Sequence, residues 1–530
     1  MTTLTRWVLR HKLIVGLFWL AMLVVGGATV ARATHALSES FSAPGEESYE
    51  ANLQVIRTYG VDSNSSPVVL VSTLPTGGSF MAAAPQTQFS SLLDQVAKAV
   101  PGARILSYGS TRDRAFISAD GRTTFALVYL PLGLKQGAFG GNGPTVQLIQ
   151  RISGSAKVDG SPVHVTGIDA LTAAEGTSGN GGPSLLVETL IGGAGALVVL
   201  AFVFGSFIAI VPLFMAAVAI MSAFLLVWGV TAITSVSFIV QFLIGLIGLG
   251  VAIDYSLLII IRWREERAEG LDNPIAVERA MATAGHAVVF SGTAVGIGLL
   301  AMVALPIPAL RSVGYGGLLI PLVSVAVATT LLPVVLATVG PRLDWPRLRS
   351  EAHGSRPWSA WAHFVVRRRW MAAIVAVVIL GALFIPATQA NPGNPAVGSL
   401  AKAGDAHDGL FALEDSGIGA GPLTPISILV KAGNPTPVIA RVARVSGVLS
   451  VIAPDTADWR RAGTSLLTVI PTTDANSSSG HAIIDRVRVA AHAGTQTVGV
   501  TGDAVSSADF TSAVYANFPL MLGIIAVITF

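Results

Sequence analysis

The 530-residue chain contains no cysteine. Disulfides, thiol nucleophiles and cysteine-ligated metal sites are therefore excluded, and any domain outside the cytoplasm must hold together by packing alone. Charge is scarce too, at 12% Asp, Glu, Lys and Arg against about 25% in soluble domains. No G-x-x-x-x-G-K-[ST] run occurs, which leaves ATP hydrolysis without a sequence basis. No H-E-x-x-H or credible zinc cluster occurs either, and nothing converges on an enzyme site. What is abundant is apolar residues, 52% of the chain, with a mean hydropathy of +0.67. The net charge of +3 carries no nucleic-acid signal, because the basic residues cluster beside apolar segments.

Apolar spans run over 13–31, 184–204, 207–228, 236–261, 287–306, 312–339 and 370–388, with an eighth beginning near 517. Each complete one is near or above the roughly 20 residues that cross a hydrocarbon core. The basic start (Arg6, Arg10, His11, Lys12) and the small residues near Ala31 and Ala33 also fit a secretory signal; six further spans favour an uncleaved first helix. Arginines set the orientation. The N-terminus, the 262–286 loop (Arg262, Arg264, Arg267, Arg279) and the 340–369 loop (Arg342, Arg347, Arg349, Arg356, Arg367, Arg368, Arg369) all fall on one side, which is then cytoplasmic. The chain divides into a first membrane helix (1–35), an outside domain (36–183), helices two to six (184–339), a cytoplasmic linker (340–369), a seventh helix (370–388), a second outside domain (389–516) and the start of an eighth helix (517–530).

Both outside segments read as α+β. In the first, Pro67–Leu74, Ala103–Tyr108 and Pro162–Gly167 read as strands, and Gln86–Val100 and Thr145–Ile152 as helices. Ala115–Ser118 and Thr123–Leu130 form a hairpin around Asp120-Gly121. The order approximates β-α-β-β-α-β, the ferredoxin-like arrangement. The second segment repeats it: strands at Ile426–Lys431, Val448–Ala453, Ser465–Pro471 and Thr497–Gly502, and helices at Pro437–Val445 and Ala482–Ala493. Trp7-Val8-Leu9-Arg10 parallels Phe364-Val365-Val366-Arg367, and Val165-Thr166-Gly167 parallels Val500-Thr501-Gly502. The second unit ends where the first continues into five helices, so the sequence is expected to be C-terminally truncated.

One ionisable group stands out. Asp254, beside Tyr255, lies inside the apolar run Val236–Ile261. A charged carboxylate at the bilayer centre costs at least roughly 2.5–3.5 kcal/mol, so the acid is expected to be buried against a partner or a watery cavity and to bind a proton. Ser291, in Val288-Val289-Phe290-Ser291-Gly292-Thr293, is placed to donate to it from the next helix, although Ser and Thr often satisfy their own helix's carbonyls. Gly292 and Gly296 form a small-xxx-small face; with Gly250 they read as packing positions near the acid. Pro321 and Pro333 are expected to kink the sixth helix. Arg311, Tyr315, Glu188 and His286 read as helix-end residues. The run Arg262–Glu269 reads as an amphipathic segment with Arg and Glu paired at helical spacing.

On Gly250-Val251-Ala252-Ile253-Asp254-Tyr255 and the following Arg262-Trp263-Arg264-Glu265-Glu266, the chain resembles the MmpL branch of the resistance-nodulation-division (RND) transporters. The resemblance implies a polytopic α-helical membrane protein with two periplasmic βαββαβ porter domains and an incomplete second half. It also implies secondary active transport, with a proton gradient in place of any cofactor, that exports lipids or hydrophobic drugs from the inner membrane, mainly in actinobacteria. Carried over by position, the proton relay falls on Asp254 and Tyr255; in relatives a second Asp-Tyr pair on the tenth helix faces it. Homo-oligomers or accessory membrane proteins are compatible partners. A lipid-sensing or scaffold role and a SecDF-like accessory role in protein secretion are the alternatives; the Arg-Glu-Glu run argues against the second.

Overall fold

A computed structural model describes residues 1–37, 43–133, 143–175, 185–305, 307–346, 356–388, 393–400, 402–431 and 434–529. The chain separates into two compact units. One comprises 1–40, 183–390 and 517–530; the other comprises 41–182 and 391–516.

The first unit is helical. Among the described residues, seven helices are long and apolar enough to cross a membrane: Lys12–His35, Phe207–Thr231, Ile239–Ala268, Asn273–Ala304, Pro308–Thr338, Arg369–Pro386 and Asp503–Ile528. The apolar helix Leu185–Phe204 joins them. Two boundaries differ from the sequence reading. The 262–286 segment is not a loop, because one helix continues to Ala268 and the next begins at Asn273. Its charged residues extend the helix through Arg262–Glu265 (2.9 Å) and Arg262–Glu266 pairs, the i,i+3 and i,i+4 spacing that supports helix. The last helix begins at Asp503 rather than near 517, since its polar first turns belong to the second unit.

The helix with two prolines is distorted between them. An α-helix over Pro308–Ala326 passes into a π turn at Val327–Leu331 and then into Leu332–Thr338. A matching π turn, Leu243–Ile247, precedes Asp254. Such turns widen the helix by one residue and re-aim the side chains that follow. Trp19 donates from Nε1 to Thr330 Oγ1 at 2.9 Å, tying the first membrane helix to the π turn.

The second unit holds two sheets. The first has β1 (Val68–Thr73), β2 (Arg104–Ser107), β3 (Thr123–Tyr129), β4 (Lys157–Val158) and β5 (Ser161–Thr166) in the order β2-β3-β1-β5-β4. The second has β6 (Ile426–Val430), β7 (Val448–Ile452), β8 (Arg460–Arg461), β9 (Thr464–Pro471) and β10 (Thr497–Thr501), ordered β10-β6-β9-β7 with β8 on β9. Neighbours are antiparallel throughout. The orders β5-β1-β3-β2 and β10-β6-β9-β7 are the same split β-α-β arrangement, so the repeat is a repeat of topology. One arm of the expected first hairpin is absent. Arg114–Phe116 is a 3-10 turn, because Asp113 accepts the Ala115 N–H at 2.9 Å and caps the backbone locally; only Ile117 bridges to Thr124. The Gly121 turn itself stands, with φ +76°.

Period-2 alternation divides the strands of the second sheet. Ile426, Ile428, Val430, Leu467 and Val469 enter a core with that domain's own helices. Leu429, Leu466 and Ile470 face the opposite way, into a core shared with β1 and β3 of the first domain. Burial on both faces explains why β1, β6 and β9 read as nearly continuous apolar runs.

The two domains also exchange helices. Helix Glu47–Tyr59, from the first half, packs on β10; helix Asp405–Asp415, from the second, packs on β5. Each helix begins with an acid that accepts from the repeated Val-Thr-Gly strand. Glu47 Oε1 takes the Val500 N–H at 2.7 Å and Asp405 Oδ2 takes the Val165 N–H at 3.0 Å. Each acid also meets a histidine: His492 at 2.6 Å and His164 at 2.8 Å. An acid in the first turn suits the positive end of the helix dipole.

Candidate functional site

The helix carrying Asp254 packs against Ile210–Thr231, Asn273–Leu300 and Pro308–Ala326. Successive residues stand about 100° apart, so Asp254 and Tyr255 cannot share a face. Tyr255 takes the packed side and is 5% exposed. Asp254 is exposed, on a stripe with Ile247, Gly250 and Leu258. The expected burial of Asp254 is therefore corrected: the three packed helices occupy the tyrosine's side and leave the acid's side open. Asp254 has no hydrogen bond or ion pair among the described residues.

Ser291 is exposed and makes no hydrogen bond to Asp254 among the described residues. It neighbours the buried Tyr255 hydroxyl without reaching hydrogen-bond geometry, which leaves that hydroxyl unpaired. Thr293 donates to Val289 O at 2.7 Å, its own helix's carbonyl. The glycines separate clearly. At Gly292 an added Cβ would lie 2.2 Å from Val325 Cγ2 and 3.3 Å from Tyr255 Oη. Three helices converge there. At Gly296 the nearest atom, Leu318 Cδ1, would be 3.0 Å away. Gly250 meets nothing within 4 Å. Its expected packing role fails because it lies one turn before Asp254, on the same open stripe.

The other flagged residues stay local. Arg311 donates to the Leu305 carbonyl at a helix start, and Tyr315 is 39% exposed. His286 Nδ1 lies 2.7 Å from Ala282 O. The Glu188 side chain lies outside the described residues.

One polar cluster escaped the sequence reading. Arg264, 7% exposed, pairs with Asp344, 2% exposed, at 2.6 Å. The same guanidinium donates to Ser206 Oγ at 2.8 Å and to Phe204 O at 3.1 Å, and stacks over the Phe204 ring. Nearby, Trp263 Nε1 donates to Asn273 Oδ1 at 2.9 Å, and the Asn273 amide reaches the carbonyls of Leu336 and Ala337. Glu266, also 2% exposed, lies between Arg262 and Arg279. The end of the Asp254 helix is thus fastened to three neighbours. Asp344 sits in the segment read as a linker, where it is one of two acids, with Glu351, among the arginines. Among the described residues no cluster of His, Asp and Glu could hold a metal.

The chain is 33% identical over 355 residues to the heme uptake protein MmpL11 of Mycobacterium tuberculosis; the match takes in 63% of this chain and 36% of that one. It is also 33% identical over 357 residues to the mycolic acid-containing lipids exporter MmpL11 of Mycolicibacterium smegmatis, covering 63% of this chain and 37% of the relative. The chain thus spans little more than a third of the length of these relatives. The cryo-EM structure of the hedgehog release protein Disp from water bear superposes over 100% of this chain and 83% of that one, at TM-score 0.50 and 12% identity; that likeness concerns the fold alone. The MMPL family profile matches residues 40–372, more than half of the chain, and the protein is therefore a multi-pass inner-membrane member of the MMPL family.

Proposed function

We propose that the protein takes part in proton-driven export of a lipid or other hydrophobic molecule across the inner membrane, with Asp254 as the proton carrier. The observation that carries this reading is an unpaired carboxylate in mid-helix, next to a tyrosine wedged where three helices meet. In lipid, an ionised Asp254 costs at least roughly 2.5–3.5 kcal/mol. The open stripe is therefore stable only with the acid protonated or with another helical surface over it. Binding and release of the proton then favour different coverings of the stripe, and a membrane potential of 100 mV supplies about 2.3 kcal/mol per charge moved. Tyr255, Gly292 and Val325 transmit the choice, because a shift of the Asp254 helix moves the ring against the neighbouring helices.

The names of the relatives support a hydrophobic cargo, heme for one and mycolic acid-containing lipids for the other. The test is Asp254→Asn in cells, with labelled lipid extracted from the outer envelope. Export is expected to collapse while expression and membrane insertion stay normal; undiminished export by the variant would remove Asp254 from the mechanism.

A further inference from the structure

Two short helices precede the first and seventh membrane helices, Thr2–Arg10 and Arg356–Arg367. The match of Trp7-Val8-Leu9-Arg10 to Phe364-Val365-Val366-Arg367 sets their register. In that register Leu4 corresponds to Trp361, Val8 to Val365, and Arg10-His11-Lys12 to Arg367-Arg368-Arg369. The first helix is docked by one arc only: Thr5 and Val8 are buried, whereas Leu4 and Trp7 are 40% and 51% exposed. The second presents the equivalent pair, with Trp361 59% and Phe364 44% exposed. In both helices the aromatic residue carries a basic group from the next turn. His11 stacks on Trp7 at 4.8 Å between ring centroids, and the Arg368 guanidinium lies 5.6 Å from the Phe364 centroid. With Leu185–Phe204 counted as a crossing, six apolar helices lie between the two elements, which puts both on one side of the bilayer.

We infer that this pair of helices forms a docking surface for anionic lipid headgroups, with the exposed apolar pairs inserted at the interface and the two basic triplets on the phosphates. Charge complementarity selects the occupant. Residues 1–38 and 352–404 contain no Asp or Glu. Of the basic groups here only Arg6 has a carboxylate partner among the described residues, Glu278 at 3.1 Å. Apolar insertion beside Lys and Arg is how amphipathic helices hold an anionic interface, and each basic residue near such a surface contributes about 1 kcal/mol, close to a fivefold change in binding. Trp7 and Trp361 suit the headgroup level, where tryptophan concentrates.

The purified chain, titrated with dioleoylphosphatidylglycerol or dioleoylphosphatidylcholine under native mass spectrometry, tests the inference. The anionic lipid is expected to bind at least about fivefold tighter. Arg367→Gln/Arg368→Gln/Arg369→Gln should reduce that ratio several-fold, and adding Arg10→Gln/Lys12→Gln should bring it near one. Inorganic phosphate at matched concentration should not displace the lipid. Should the five-site variant fail to fold, the triple variant on the exposed helix still reads the effect. Equal binding of the two lipids by the native chain, or an unchanged ratio in the variants, would overturn the inference and leave the exposed pairs to a protein partner.

Discussion

Gly292 offers the sharpest test of the packing around Tyr255. A methyl group at this position would stand 2.2 Å from Val325 Cγ2, whereas ordinary contact begins at 3.4 Å. The gap must open by about 1 Å or the helices must part. Val325 offers little relief, since a β-branched side chain is stiff at χ1. Overpacking of this kind costs about 1–3 kcal/mol. Gly292→Ala is therefore expected to lower the thermal unfolding temperature of the detergent-solubilised protein, and Gly292→Ala/Val325→Ala should recover most of the loss because the colliding Cγ2 is gone. Gly250→Ala is the control. Nothing lies within 4 Å of its Cβ, and replacing a mid-helix glycine by alanine gains up to about 1 kcal/mol. If Gly292→Ala were as stable as the native protein, or if Val325→Ala gave no rescue, the close three-helix crossing at Gly292 would be refuted.

The Arg264–Asp344 pair should behave as a buried ion pair. Asp344→Ala removes the carboxylate that pairs with a buried guanidinium and is expected to cost about 3–5 kcal/mol, read by thermal unfolding. Arg264→Met/Asp344→Leu should cost much less, and equal losses in both variants would deny the pair its burial. His164 predicts a pH dependence. Its hydrogen bond to Asp405 raises its pKa above the ordinary value, against the opposing effect of burial. The folded form therefore binds the proton more tightly, so this stabilisation is complete below the unfolded pKa of about 6.5 and is lost as pH rises through the higher folded value. The pair is partly exposed, with side-chain exposures of 23% and 49%, which limits the effect to about 0.2–1 kcal/mol. Melting curves between pH 6 and 9 should show it in the native chain and lose it in His164→Gln; the same slope in both would assign the titration elsewhere.

Hydropathy and periodicity were enough to place the membrane helices and most strands, because apolar length and period-2 alternation are local properties of a sequence. The repeat was legible for the same reason. Its Val-Thr-Gly tripeptides mark the ends of β5 and β10, and a strand end is set by its own glycine. The helix exchange was not legible. Glu47 and Asp405 meet Val500 and Val165 across 453 and 240 residues, and no local pattern encodes a partner so distant. The Ala115–Ser118 arm was misread because Asp113 caps the backbone there, a side-chain bond that competes with the strand ladder.

The chain by itself determined that an acid and a tyrosine stand side by side in an apolar helix, since that is a matter of composition and spacing. Which of the two faces its neighbours was decided by tertiary packing alone. Helix rotation puts Tyr255 against Gly292 and turns Asp254 outward; that rotation is set by the sum of contacts along three neighbouring helices, to which the residue pair contributes little. The same holds for Asp344, an ordinary linker acid in the sequence, which becomes the buried partner of Arg264 only once the ends of the helices have come together.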